Sequence, residues 1–260
     1  LNMFDKFIKK FADDSAYYSD FDFVTNSQLG KIAVSPAHYQ HYKDNPDLRE
    51  ETKALIFGRA FHMCILEHDK FKELVVKEPK MDKRTKDGKA MAKEFTEANE
   101  GKIILSPAEW NSLIGMRNRI YSSVEATELL SKGKAEQVMV WEDSDENVLC
   151  KCKADWVNLE DGYIMDIKTT QDATPRGFRN SCYKWGYDRQ SAFYSDAFGV
   201  KNFIFIVIEK TAPYNIGVYT CGDEFISNGR AKYKHLLRLY KDYFVEENKE
   251  PYEFTWKDEL

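Results

Sequence analysis

Lys153-Ala154-Asp155-Trp156-Val157 and Tyr163-Ile164-Met165-Asp166-Ile167-Lys168-Thr169-Thr170 both alternate apolar with polar residues, the period-2 pattern of half-buried strands. Between them stands Asn158-Leu159-Glu160-Asp161-Gly162, in which Asp-Gly is a strong turn signal. An antiparallel hairpin is therefore predicted. A two-residue loop at Glu160-Asp161 sets Asp155 opposite Asp166, and one at Asp161-Gly162 sets it opposite Lys168. Because side chains alternate faces, either register gathers Asp155, Asp166 and Lys168 on one face. Only an odd-length loop without a bulge separates them.

Like charges facing each other across a strand pair destabilise it, so two aspartates there need a counter-charge. Lys168 supplies part of it, which would make the group a surface ion cluster. A divalent cation supplies it better, since hard ions such as Mg²⁺ take carboxylate oxygens and keep several waters. Asp166 and Lys168 stand roughly 6.7 Å apart along one strand face. One side chain can then hold a cation while the other reaches its bound water.

Around this hairpin the pattern is that of an α/β chain. Glu136 to Glu142 and Asn147 to Val157 read as preceding strands joined by a polar turn, Asp143-Ser144-Asp145-Glu146. Glu136 opens that sheet, and an exposed strand-end carboxylate is the expectation over a place in the acidic group. Asn202 to Glu209 is a continuous apolar run, consistent with a strand buried on both faces. A further strand is read at Ile216 to Thr220, then a long amphipathic helix from about Phe225 to Glu246.

Upstream, residues 4 to 45 read as short helices, with Ser35-Pro36 as N-cap and first helical residue. Glu51 to His68 is a stronger helix, its apolar residues recurring near the 3.6 period. His62 lies on or beside that apolar face, where a lone histidine is usually a satisfied core residue. From Lys77 to Lys93 cations outnumber acids, which fits a solvated linker or a flexible basic loop along a phosphate backbone. A helix is read from about Lys89 to Gly101, then a short strand at Ile103-Ile104-Leu105. Ser106-Pro107-Ala108-Glu109 is a capping-box pattern opening a helix expected to run to about Ser131. After Thr170 a basic connection bearing Arg176, Arg179 and Lys184 leads to a helix from Asp188 to Phe198. On that helix Gln190 and Tyr194 share one face as i and i+4.

The composition bounds the function classes. A chain of 260 residues with 17 Phe, 15 Tyr and 5 Trp can bury a sizeable core, and neither a repeat nor a convincing domain boundary interrupts it. No apolar run approaches the roughly 20 residues of a membrane span, and no signal-peptide pattern opens the chain. Five cysteines, an odd number, fit a reducing cytoplasm better than a disulfide framework. The net charge of -5 does not suggest a nucleic-acid binder, yet phosphate contacts need only a local basic surface. Neither a glycine-rich phosphate loop nor a nucleophile elbow is present.

In order, the special residues are Gly58-Arg59-Ala60-Phe61-His62, Asp155, Asp166-Ile167-Lys168 and Gln190-Ser191-Ala192-Phe193-Tyr194. This set resembles the PD-(D/E)XK nuclease superfamily, in its RecB-like branch, which adds an upstream histidine and a Gln-x-x-x-Tyr helix to the Asp…Asp-x-Lys core. Asn26-Ser27-Gln28-Leu29, Ser35-Pro36-Ala37-His38-Tyr39 and Asp82-Lys83-Arg84-Thr85-Lys86-Asp87-Gly88-Lys89 look like the exodeoxyribonuclease VIII (RecE-like) nuclease domain. The similarity runs from about Tyr18 to Val245.

The resemblance implies a restriction-endonuclease-like core: a central mixed β-sheet flanked by helices, with an N-terminal helical part. With neither a repeat nor a convincing boundary, one domain over residues 1–260 is expected, comprising a helical segment 1–50, a core 51–246 and a tail 247–260. The implied activity is metal-dependent 5′→3′ digestion of one strand of duplex DNA, leaving 3′ single-stranded overhangs for recombination. By the same resemblance His62, Asp155, Asp166 and the backbone carbonyl of Ile167 would ligate Mg²⁺, with Mn²⁺ able to substitute. Lys168 would orient or help deprotonate the attacking water, with a pKa lowered by neighbouring cations. Gln190 and Tyr194 would position the scissile strand or Lys168. Arg59, Arg84, Lys86, Lys89, Thr169, Arg176 and Arg179 are the expected DNA contacts.

Relatives with an iron–sulfur cluster use a close downstream cysteine group. Cys64, Cys150, Cys152, Cys182 and Cys221 do not form one, so no iron–sulfur cluster is expected. Expected partners are duplex DNA ends, a single-strand annealing protein and further copies of the chain in a ring-shaped trimer or tetramer, in the cytoplasm of a bacterial or phage-infected cell. The rival expectations are a structure-specific or restriction-type endonuclease and a non-catalytic DNA-end-binding recombination partner.

Overall fold

The computed structural model describes residues 4–46 and 51–256. The last four residues of the expected tail, and 1–3 and 47–50 of the expected N-terminal segment, lie outside them. Short helices come first: α1 (Asp5–Phe11), α2 (Asp14–Ser19), α3 (Asn26–Val34) and α4 (Pro36–Asp44). Then follow α5 (Lys53–Leu66), α6 (His68–Leu74), β1 (Val75–Lys77), α7 (Lys86–Ala98), β2 (Ile103–Leu105), α8 (Pro107–Tyr121) and α9 (Val124–Leu129). The remainder is β3 (Lys134–Asp143), β4 (Val148–Asn158), β5 (Tyr163–Thr170), α10 (Pro175–Trp185), α11 (Tyr187–Phe198), β6 (Asn202–Glu209), β7 (Ile216–Thr220) and α12 (Asp223–Tyr240).

Local chemistry sets the boundaries. Ser35 caps α4 by accepting from the His38 N–H, with Pro36 in the first turn, and α8 opens on a complete capping box between Ser106 and Glu109. Thr174 caps α10, which ends at Gly186 in the left-handed region, φ 66°. Three readings need correction. The helix expected through Ser131 breaks after Tyr121, because Ser123 caps a new helix at the Ala126 N–H. The helix expected from Lys89 begins at Lys86, capped by Thr85, so Lys86 and Lys89 stand on a helix rather than in a loop. The basic connection after Thr170 is itself largely helical, and β1, which pairs in parallel with β2, was not anticipated.

Among the described residues, the main sheet has the order β3-β4-β5-β6-β7. Only the β5–β6 pair is parallel, joined through α10 and α11, so the sheet is mixed. On one face α3, α4, α11 and α12 bury Tyr39, Phe193 and Leu237 against Ile164, Phe203 and Phe205. On the other, α5 and α8 bury Phe61, Leu113 and Met116 against Met165, Ile167 and Ile206. The apolar run of β6 is thus enclosed on both sides, as its composition requires. The expected α/β architecture, a mixed sheet flanked by helices, is the one observed. No helix of the described residues is long and apolar enough to cross a membrane.

The central hairpin has one feature that alternation alone does not contain. β4 pairs with β5 only over Trp156↔Met165, Val157↔Ile164 and Asn158↔Tyr163. Farther along, the chain at Val24 bonds β4 in place of β5, through Val24 N–H to Leu149 and Lys151 N–H to Val24. Even-numbered residues of β4 also change face at this break. Cys150, Cys152 and Ala154 lie in the core under α11 and α12, whereas Trp156 packs with the core under α5 and α8. The opening is at Asp155.

Candidate active site

Counting back from Trp156↔Met165 places Asp155 across from Asp166, the first of the two registers anticipated. The strands do not close there. The Asp155 carboxylate instead accepts the Ile167 backbone N–H, 2.9 Å to Oδ2, and so fills the place of a ladder acceptor. This separates β4 from β5 and lets groups from both helical layers enter the gap. From α5, His62 Nε2 donates to the Ile167 carbonyl at 2.7 Å, and its Nδ1 lies 3.5 Å from Asp155 Oδ2. His62 is therefore not a satisfied core histidine.

From the opposite layer, Gln190 Nε2 donates to Asp166 Oδ1 at 2.6 Å. Gln190 is only 8% exposed, so the face it shares with Tyr194 points inward. Its partner Tyr194 is half-buried, with its ring near Phe193 and Phe203. Burial, then the nearby Tyr17, Cys152, Asp166 and Asp155, push its phenol well above the ordinary value. Lys168 Nζ lies 2.7 Å from Asp166 Oδ2 and 4.8 Å from the centre of the Tyr187 ring. Asp166 Oδ2 is buried, and the Lys168 ammonium is the charge that faces it.

Glu136 corrects the sequence expectation. The β3–β4 ladder pairs Ala135 with Trp156 and Gln137 with Ala154, skipping the residue between. Glu136 has φ 50°, is half-buried, and stands across from Asp155 instead of lying exposed at a strand end. One ligand atom each from His62, Glu136 and Asp155 fall within 4.8 Å of one another. A signal for this was available: any even-length loop between the first two sheet strands puts Glu136 on the Asp155 face. Tyr187 beside Lys168 was also missed, although it shares a helix face with Gln190 at i, i+3.

The electrostatics follow from crowding carboxylates where water is scarce. Burial, and then Asp155 and Glu67, push the Glu136 carboxyl up to about 8. Burial and Asp155 push Asp166 up to about 6, although Lys168 opposes them. Burial pulls Lys168 down, but Asp166, Tyr187 and Asp155 more than offset it, so its pKa is raised. The lowered value expected for Lys168 required cations beside it, and with carboxylates there the sign reverses.

An imidazole and two carboxylates within 4.8 Å, beside a third carboxylate whose Oδ2 is paired only with Lys168, are a donor set that hard divalent cations take. These residues fit such an ion. In the neutral ring whose Nε2 carries the proton, the Nδ1 lone pair faces Asp155, and a shared cation resolves that opposition. The Ile167 carbonyl, already bonded by His62, keeps a second lone pair.

The expected DNA contacts lie farther out. Arg176 and Arg179 are exposed on α10, and Thr169 is half-buried beside Lys168 on β5. Arg59 is exposed one helical turn before His62 and pairs with Glu51. Arg84 is exposed and pairs with Asp82, while Lys86 and Lys89 project from the first turn of α7.

Comparison with solved structures agrees with the architecture. A protein from Eubacterium rectale described as a "Putative exonuclease" superposes with a TM-score of 0.62 at 17% identity, over 92% of this chain and 91% of the other. At that identity the likeness shows the fold. A phage related exonuclease from Haemophilus somnus 129PT also matches, with a TM-score of 0.37 at 12% identity, over 66% of this chain and 91% of its own. That score is too low to carry an argument. No curated protein matches the sequence. Residues 25–253 match the model of a family described as a PDDEXK-like domain of unknown function (DUF3799), a span that includes His62, Glu136, Asp155, Asp166, Lys168 and Gln190. The chain belongs to that PDDEXK-like family.

Proposed function

We propose that the protein is a metal-dependent exodeoxyribonuclease that hydrolyses one strand of duplex DNA from its 5′ end, leaving 3′ single-stranded overhangs for recombination. The observation that carries this reading is the convergence of His62, Glu136 and Asp155 beside a buried Asp166 held between Gln190 and Lys168. Asp155, Asp166, His62, Glu136 and the Ile167 carbonyl would hold Mg²⁺ or Mn²⁺. A bound divalent cation would polarise the scissile phosphate and make its water more acidic. Gln190 keeps Asp166 Oδ1 engaged while Lys168 pairs with Oδ2, which fixes the orientation of the carboxylate. Lys168, braced by Asp166 and Tyr187, would donate a hydrogen bond to the attacking water or to the phosphate it approaches. Arg176 and Arg179, on the helix that follows β5, would touch backbone phosphates without reading sequence.

The experiment is digestion of a linear duplex labelled at one 5′ or one 3′ end, in Mg²⁺, beside a covalently closed circle. Early release of the 5′ label with an intact circle is the expected result. Early release of the 3′ label reverses the polarity, and a nicked circle replaces the exonuclease reading with an endonuclease.

A further inference from the structure

α10 carries Arg176, Arg179 and Lys184 and no acid over its 11 residues, in a chain where acids outnumber bases. Asp172, just before it, accepts from the Thr174 N–H at the helix start. One face of α10 is anchored: Phe178 and Cys182 are buried, and the Phe178 ring stacks on Tyr219 with centroids 4.9 Å apart. Arg176, Arg179 and Tyr183, at i, i+3 and i+7, share the opposite stripe. Tyr183 is 89% exposed, and Trp185 at the helix end is 57% exposed. Lys184 Nζ lies 4.7 Å from the centre of the Trp185 ring, so cation and ring are presented together.

The two kinds of side chain call for two parts of one ligand. Guanidinium and ammonium groups take phosphates, and broad exposed rings take a flat apolar partner. A duplex hides the faces of its bases, so it satisfies the cations and leaves the rings in water. Unpaired nucleotides offer both phosphates and base faces. The placement agrees with this. Trp185 and Tyr187 are two residues apart, which holds their Cα atoms within about 7.6 Å of each other. The Tyr187 ring in turn lies 4.8 Å from Lys168 Nζ. A strand stacked at the end of α10 is therefore next to the Lys168 side of the site. We infer that Tyr183 and Trp185, with Arg176, Arg179 and Lys184, form a binding surface for unpaired DNA, on which bases of the strand being cut stack once they leave the duplex. The inference rests on the nuclease reading above and adds to it the form of DNA that α10 holds.

The test separates bases from phosphates. Anisotropy titrations in chelator, where binding is read without cleavage, compare labelled oligothymidylate with an abasic strand of the same length. Wild type is expected to bind oligothymidylate about 10- to 100-fold tighter, the scale of one stacked base. The Y183A/W185A variant is expected to lose that preference. Its slope of log affinity against log salt should be unchanged, because no phosphate contact is removed. Y183F/W185F keeps both rings and should keep the preference. Both side chains are exposed, so the variants are expected to melt with wild type, and thermal melting checks this. Equal binding of the two strands by wild type overturns the inference, as does a preference that survives in Y183A/W185A. Binding of neither strand overturns it too and gives the aromatic face to another partner. Digestion of labelled duplex is measured separately: a base preference without label release overturns the nuclease reading and leaves the stacking surface standing, and label release without a base preference does the reverse.

Discussion

Asp166 is 2% exposed, with Gln190 on one oxygen and Lys168 beside the other, so its carboxylate is held by two side chains that serve no core. Replacing Lys168 by Met, which keeps the buried stem and removes the charge, should lower the cleavage rate by about 10²–10⁴-fold. Binding of duplex DNA in Ca²⁺ should be nearly unchanged; wild-type turnover in K168M would remove Lys168 from the chemistry. A second prediction concerns pH. Glu136 and Asp166 keep their protons in the cation-free fold up to about 8 and about 6, respectively, whereas the unfolded chain loses them near 4. Their contribution to stability is complete below the unfolded values and is lost as pH rises through the folded ones. A cation takes the place of those protons. The rise in melting temperature on adding Mn²⁺ should therefore be small at pH 5 and grow toward pH 8, and a pH-independent rise would contradict the assignment. Alternation put Asp155, Asp166 and Lys168 on one face from the sequence, and the same parity offered Glu136, but its position at the start of a strand made an exposed carboxylate the expectation.

At the scale of elements, the site depends on how α11 is seated. Gly229 of α12 packs against the start of α11, and a Cβ there would fall 1.9 Å from the Asp188 carbonyl oxygen. G229A should force the two helices apart at a cost of about 1–3 kcal/mol, as overpacking usually does. Because α11 also carries Tyr187 and Gln190, the cleavage rate should fall by more than the folded fraction does. Urea midpoints and initial rates under conditions where both proteins are folded check this, and a rate loss no larger than the unfolded fraction would uncouple the helix seat from the site. The same helix shows where pattern reading ends. The i, i+4 spacing puts Gln190 and Tyr194 on one face, but only the seating of α11 over β5 shows that a buried carboxylate, Asp166, lies beneath it.

Over the whole molecule, acidic residues outnumber basic ones, 43 to 38, so any DNA path must come from cations grouped locally. Arg176 and Arg179 stand exposed on α10, directly after the strand that carries Lys168. Changing both to Ala should weaken duplex binding and flatten the plot of log affinity against log salt by about 0.9 for each phosphate no longer neutralised. Anisotropy titrations across a range of salt measure the slope, and an unchanged slope would take α10 off the DNA. R84A is the comparison, because Arg84 already pairs with Asp82 in the segment between β1 and α7. A loss equal to that of the α10 pair would put this segment on the backbone as well.

The sequence alone determined the hairpin and narrowed it to two registers that share a face, because alternation, caps and turn residues act over a few positions; the register itself was settled in the fold. Spacings within a strand or helix also put Asp155, Asp166 and Lys168 on one face, and Gln190 and Tyr194 on another. Only the tertiary structure decided that β4 parts from β5 at Asp155, that Val24 takes the vacated place, and that Glu136 turns inward. Those outcomes depend on competition among distant segments for the same backbone hydrogen bonds and the same cavity between layers, and no local pattern encodes the winner.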